Sequence, residues 1–153
     1  MPFLPEVIIP EGLPGATTGH GTVSTQALHR AYNKGWPAVF YHSGVAVVGQ
    51  IKGLFPIPWA CDITAIRAAA DIAPTGSSMT LDLLKGTNGS GRTSLFSGNA
   101  KPVIAAGNNT VTISAVPNTV TLSPGDFLIA EIETIGSTVA GSEITLAVWL
   151  RFN

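Results

Sequence analysis

The sequence predicts an all-β protein, an antiparallel β-sandwich or jelly roll that follows an extended N-terminal arm. Three observations predict this. Apolar and polar residues alternate with period two along the C-terminal half, most clearly over residues 126–135 and 143–152, which is the pattern of half-buried antiparallel strands. Sets of Gly, Pro, Asn and Ser recur between the alternating stretches, the spacing of turns in a sandwich or jelly roll. The start of the chain is punctuated by Pro2, Pro5, Pro10 and Pro14, with Gly12 and Gly15 close by. Proline fixes φ and removes a donor, so this stretch is neither helix nor central strand.

In chain order, residues 1–44 read as arm and linker. Val7, Ile8 and Ile9 make the arm apolar enough to lie on another surface. Residues 24–34 are the one credible helix, with Ser24 as cap, Ala27, Leu28 and Ala31 on one side and Gly35 as stop. Residues 45–153 read as the sandwich domain. It begins with the β-branched run Val45-Ala46-Val47-Val48. Residues 61–72 form a longer strand in which Ile63 and Ile66 are out of phase, which predicts a bulge. Met79, Leu81 and Leu83 alternate with Thr80 and Asp82. Short strands follow at 93–96, around Val111 and Ile113, and around Val120 and Leu122. Leu128, Ala130 and Ile132 then share one face. In the last strand Ile144, Leu146, Val148, Leu150 and Phe152 oppose Thr145, Ala147, Trp149 and Arg151. Turn chemistry lies at Pro74-Thr75-Gly76, Gly86-Thr87-Asn88-Gly89, Gly107-Asn108-Asn109, Ser123-Pro124-Gly125-Asp126 and Ala140-Gly141-Ser142.

Charged residues make up 11% of the 153 residues and hydrophobic ones 45%. The polar load is Ser, Thr, Asn and Gly, and so neutral a surface suits permanent burial against partners. No uninterrupted apolar run reaches the ~18 residues of a membrane span. The net charge is −1 and the basic residues are scattered, so nucleic acid is not an expected partner. Cys61 is the only cysteine, which excludes an intrachain disulfide and a Cys-rich zinc site and leaves a small buried hydrophobe at the head of a strand. Met1-Pro2-Phe3-Leu4-Pro5-Glu6 lacks the basic and apolar regions of a secretory signal, and folding in a reducing cytoplasm is expected.

No residue pattern announces catalysis. His20, His29 and His42 are too far apart for a helical or hairpin metal pair. Glu131 and Glu133 share a strand face. Such a pair can serve acid/base chemistry or calcium, but a solvated strand face is the plainer expectation. Residues 86–92 lack the lysine of a phosphate loop, and there is no Gly-x-Ser-x-Gly elbow. The expectation is a protein that is not an enzyme and holds no cofactor or metal. Trp36, Tyr41, Trp59 and Trp149 could stack on sugars. Trp149, opposite the core stripe, reads as an exposed contact, with a subunit favoured over a glycan. The expected intermolecular contacts are Phe3, Leu4, Val7, Ile8, Ile9 and Leu13 of the arm, together with Trp149.

Residues 59–152 resemble a jelly-roll-like module of tailed-bacteriophage virion proteins. The resemblance rests on Asp62-Ile63-Thr64-Ala65-Ile66-Arg67, Ala73-Pro74-Thr75-Gly76-Ser77-Ser78, Leu81-Asp82-Leu83, Lys101-Pro102-Val103-Ile104-Ala105-Ala106-Gly107, Ser123-Pro124-Gly125-Asp126 and, most specifically, residues 135–146. The N-terminal segment is outside it. The resemblance implies a structural role in a capsid or tail and a tendency to trimerise, which the low charge also favours. The expected function is capsid decoration: a cement protein that binds the major capsid protein or other virion subunits, assembles in the host cytoplasm and resides in the virion. The alternative is a tail, baseplate or head-fibre component with a receptor- or carbohydrate-binding sandwich.

Overall fold

The computed structural model describes residues 36–87, 90–97, 100–111, 117 and 121–152. The expected helix at 24–34, the arm contacts Phe3, Leu4, Val7, Ile8, Ile9 and Leu13, and His20 and His29 lie outside the described residues. Among the described residues the regular structure is all strand: β1 (Trp36–Val45), β2 (Gly49–Gln50), β3 (Phe55–Pro56), β4 (Cys61–Ile72), β5 (Met79–Thr87), β6 (Ser90–Ser94), β7 (Val103–Ile104), β8 (Thr121–Leu122), β9 (Asp126–Thr134) and β10 (Ser142–Phe152). One sheet, here sheet A, has the order β1-β10-β4-β8. The other, sheet B, has the order β2-β9-β5-β6, with β3 also on β9 and β7 also on β5. All pairings are antiparallel. If β2 and β3 count as one interrupted strand and β7 as an addition to β5, eight strands remain. Their order in the two sheets is that of a jelly roll.

The predicted alternation fixes which residues meet between the sheets. Ile144, Leu146, Val148 and Leu150 of β10 are buried, as are Leu81 and Leu83 of β5 and Leu128, Ala130 and Ile132 of β9. With Phe40, Ile51, Ile57, Met79 and Ile104 they form one continuous core. Burying each Leu, Ile, Met or Phe side chain contributes about 1.5–3 kcal/mol before ordering costs. The bulge predicted from Ile63 and Ile66 is present. The β10 register steps from Trp149↔Ala65 to Leu150↔Ile63, so Thr64 is the extra residue and both isoleucines reach the core.

Three expectations need correction. The β structure begins at Trp36, not Val45, and residues 36–44 are not irregular linker. β1 pairs with β10 from Trp36↔Leu150 to His42↔Ile144. Ala38 and Phe40 point inward, but the outward residues Val39 and Tyr41 are apolar too, so no polar alternation marks the strand. Its proline is tolerated because β1 is an edge strand. The run Val45-Ala46-Val47-Val48 is mostly the connection out of β1. Gly86 is not a turn glycine. It sits inside β5, where a Cβ would lie 2.3 Å from the Phe127 ring, so glycine there makes room for an aromatic side chain on the neighbouring strand. The short strand expected at 93–96 ends at Ser94. Leu95 and Phe96 turn into the core instead.

The sequence blocks behind the resemblance interlock in pairs. In the 73–78 and 135–141 loops, Thr75 and Val139 exchange backbone hydrogen bonds of 2.9 and 3.4 Å, and Ser77 Oγ donates to Ile135 O at 3.0 Å. A Cβ on Gly136 would fall 1.8 Å from the Val139 carbonyl oxygen. In a second pair, Leu81 N donates to Pro102 O at 2.9 Å and Lys101 Nζ reaches Asp82 at 2.9 Å. The blocks therefore have a structural job within the chain.

Candidate interaction surface

The outer face of sheet B combines an apolar group, Leu84, Phe127 and the buried Ile129, with a network of charges. Asp82, Glu131 and Glu133 alternate with the core residues of β5 and β9 and so project outward. Asp82 is nevertheless buried. Its Oδ1 accepts from Leu83 N and Ser94 Oγ, both at 2.8 Å, and its Oδ2 accepts from Lys101. Lys101 also pairs with Glu133. Burial alone would lower the Lys101 ammonium, but the hydrogen bonds and charges of Glu133 and Asp82 outweigh it and hold it above its ordinary value. Arg92 reaches across from β6, bonding Gln50 at 2.7 Å and lying 3.8 Å from Glu131. Glu131 and Glu133 are thus each matched to a cation rather than paired with one another.

At one end of sheet B, Asp126 closes the turn that follows β8. Its carboxylate accepts from Ser123 N at 2.8 Å and Thr87 Oγ1 at 2.9 Å, and it pairs with Lys85 at 2.8 Å. Burial alone would raise this carboxyl, but the bonds from Lys85, Ser123 and Thr87 prevail and hold it below the usual carboxylate range. The shallow depression beside it, lined by Lys85, Thr87, Thr93 and Ser94, therefore has its cation already engaged.

The outer face of sheet A is different. Across β1, β10 and β4 the registers place Pro37, Trp149 and Ala65 in one row, Val39, Ala147 and Arg67 in the next, and Tyr41, Thr145 and Ala69 in a third. Val39 and Tyr41 are 56% and 53% exposed. Trp149 lies on this face as expected. It is half-buried rather than exposed, because it sits on a central strand between Pro37 and Ala65, beside the Thr64 bulge. Thr64 Oγ1 donates to the Trp149 carbonyl at 3.2 Å. At the end of the face, Arg151 lies 3.8 Å from Asp62.

One polar device pins β1 to β10. Glu143 adopts φ +52°, a conformation uncommon outside glycine. Its Oε1 accepts from Gly44 N at 2.8 Å and its Oε2 accepts from the Tyr41 hydroxyl. The Tyr41 bond first, and the Gly44 bond next, lower the Glu143 carboxyl, and the same bond to Glu143 raises the Tyr41 phenol. The clamp sits where the β1–β10 register shifts, between His42 and Val45. His42 Nε2 lies 3.0 Å from Val45 O.

Two of the aromatics named as able to stack on sugars, Trp36 and Trp59, meet at the end of the sandwich where β1 begins and β10 finishes, a clustering that sequence reasoning missed. Trp36 packs edge-on against Phe55 with ring centroids 5.4 Å apart and tilts against Phe152 at 5.8 Å. Trp59 meets Phe152 edge-on at 5.7 Å. Trp59 is 62% exposed and Trp36 40%. The signal was the pairing of β1 with β10, which carries Trp36 to the strand that ends in Phe152. Cys61, beside this cluster at the head of β4, is buried. Burial first, then the Asp62 and Asp126 carboxylates, push its thiol up, away from nucleophilic use. Among the described residues, no group of three His, Cys, Asp or Glu is arranged to hold a metal. No family model, curated protein or solved structure matches this chain.

Proposed function

We propose that the chain is a structural subunit of a tailed-bacteriophage particle. In this reading it is a capsid decoration, or cement, protein that binds the head shell and stabilises it as a homotrimer, without catalysis and without a cofactor. One observation carries the proposal: the run of small and apolar side chains that sheet A turns outward around a single charge, Arg67. The other charges of β4 and β10, Asp62 and Arg151 at one end of the sheet and Asp71 and Glu143 at the other, lie outside its middle rows. Sheet A turns Val39, Tyr41, Ala147, Ala69 and Trp149 outward, and depletion of charge at the centre of a contact is the compositional mark of a lasting interface. The jelly roll, a fold shared by capsid and lectin domains, and the resemblance over residues 59–152 agree with this reading. The test is to locate the chain in purified particles by particle imaging. Density on capsomers supports decoration, and particles free of the chain refute it.

The aromatic end of the sandwich favours a second reading, a tail, baseplate or head-fibre component that binds a receptor or carbohydrate. Exposed indole faces such as those of Trp36 and Trp59 stack on the apolar faces of sugar rings. Titration of intrinsic tryptophan fluorescence with host surface polysaccharide tests this. A saturable change that Trp59→Ala abolishes, with density at the tail, would replace the capsid assignment.

A further inference from the structure

We infer that the outer edge of β1 receives an extended strand, residues 6–9, from the N-terminal arm of a second copy of this chain. The inference rests on the assembly reading above and names its docking site. β1 is the terminal strand of sheet A, ten residues long, with no partner on its outer side among the described residues. Soluble proteins blunt such edges with charge, short length or cover. Trp36–Val45 contains no Lys, Arg, Asp or Glu, and its exposed Val39 and Tyr41 extend the apolar face of sheet A to the edge itself. Such an edge is a template for strand addition.

The arm has the matching chemistry. Glu6-Val7-Ile8-Ile9 is a short run rich in β-branched residues, bracketed by Pro5 and Pro10. A strand closed by proline at both ends pairs on one side and offers the next chain little to extend, so addition stops after one strand. The residues between Pro10 and Trp36, at about 3.3 Å each when extended, are enough to carry the run beyond the sandwich of its own chain.

The test uses full-length chains carrying two different tags. One set carries Val7→Cys, Ile8→Cys or Ile9→Cys, and the other Val39→Cys or Tyr41→Cys. The sets are mixed, oxidised and read as mixed disulfides on non-reducing gels. Cys61, 1% exposed, stays silent. Strand addition requires period two: Val7 and Ile9 behave alike, Ile8 oppositely, and links join chains with different tags. Equal linking from all three positions, no linking, links chiefly between two Val39→Cys chains, or, in a parallel chain carrying one substitution from each set, links confined within that chain each overturn the inference. Sedimentation of the unsubstituted protein separates the two levels. A monomer removes the assembly reading together with this inference, whereas an oligomer without the alternation removes the inference alone.

Discussion

The two sheets share one core and differ in what they turn outward. Sheet B covers its outer face with its own chain: Arg92 spans from β6 to Glu131 and Gln50, and Lys101 joins Asp82 to Glu133. Sheet A presents mostly small and apolar side chains in three rows across β1, β10 and β4, with Arg67 as the one charge among them. The difference teaches that low overall charge need not be spread evenly. Both faces carry charge, but on sheet B it is stitched across the strands, whereas on sheet A, Arg67 apart, it sits at the ends of the sheet.

Substitutions can break or sharpen that contrast. The largest effect belongs to the shared core. Leu146→Ala should cost about 2–5 kcal/mol in urea unfolding, while its outward neighbour Thr145→Ala should stay within about 0.5 kcal/mol. Equal losses would sink the assignment of faces on β10. Next comes the sheet B network. Asp82→Ala leaves Lys101, Ser94 and the Leu83 amide without their buried acceptor and should cost about 3 kcal/mol. A loss below about 1 kcal/mol would mean that the network is ornamental, as exposed ion pairs often are.

Acid probes both sheets at once. The Asp126 and Glu143 carboxyls are held below their ordinary values in the folded chain. A depressed folded value means that the stability is complete above the unfolded value, about 4, and is lost as pH falls through the folded one. Thermal melts should therefore be level from neutrality to about pH 4 and then decline. Asp126→Asn should flatten that decline, and an unchanged slope would remove Asp126 from the account.

The smallest effect on folding and the largest on assembly should come from Val39→Lys. It should leave unfolding within about 0.5 kcal/mol of the parent yet weaken self-association or particle binding at least about tenfold, or ~1.4 kcal/mol. Unchanged association would move the contact away from sheet A.

Much of this was legible in the sequence wherever one face of a strand is wet. β4, β9 and β10 lie where the alternation put them, and the bulge followed from two isoleucines that could not both face the core in regular phase. The rest was illegible for physical reasons. β1 carries apolar residues on both faces, Ala38 and Phe40 inward and Val39 and Tyr41 outward, so the period-two signal vanished there. Asp82 follows the alternation, but its burial depends on Ser94 and Lys101 closing over it, and no local pattern encodes that. The aromatic end joins Trp36, Phe55, Trp59 and Phe152 from four separate places in the chain, and only the topology brings them together.

The position of β10 has a consequence for the order of events in synthesis. It is the last strand of the described chain and it lies in the middle of sheet A, between β1 and β4. β1 and β4 do not touch without it, so most of sheet A cannot form until Ser142–Phe152 has left the ribosome. Pairing across so long a sequence interval is slow compared with local folding. Until it happens β1 lacks the strand it pairs with in sheet A. On the strand-addition inference, its outer edge would become a defined receptor only once β10 has seated on the inner one, so that completion of the fold would license docking and a nascent or truncated chain would offer its neighbours no site to join.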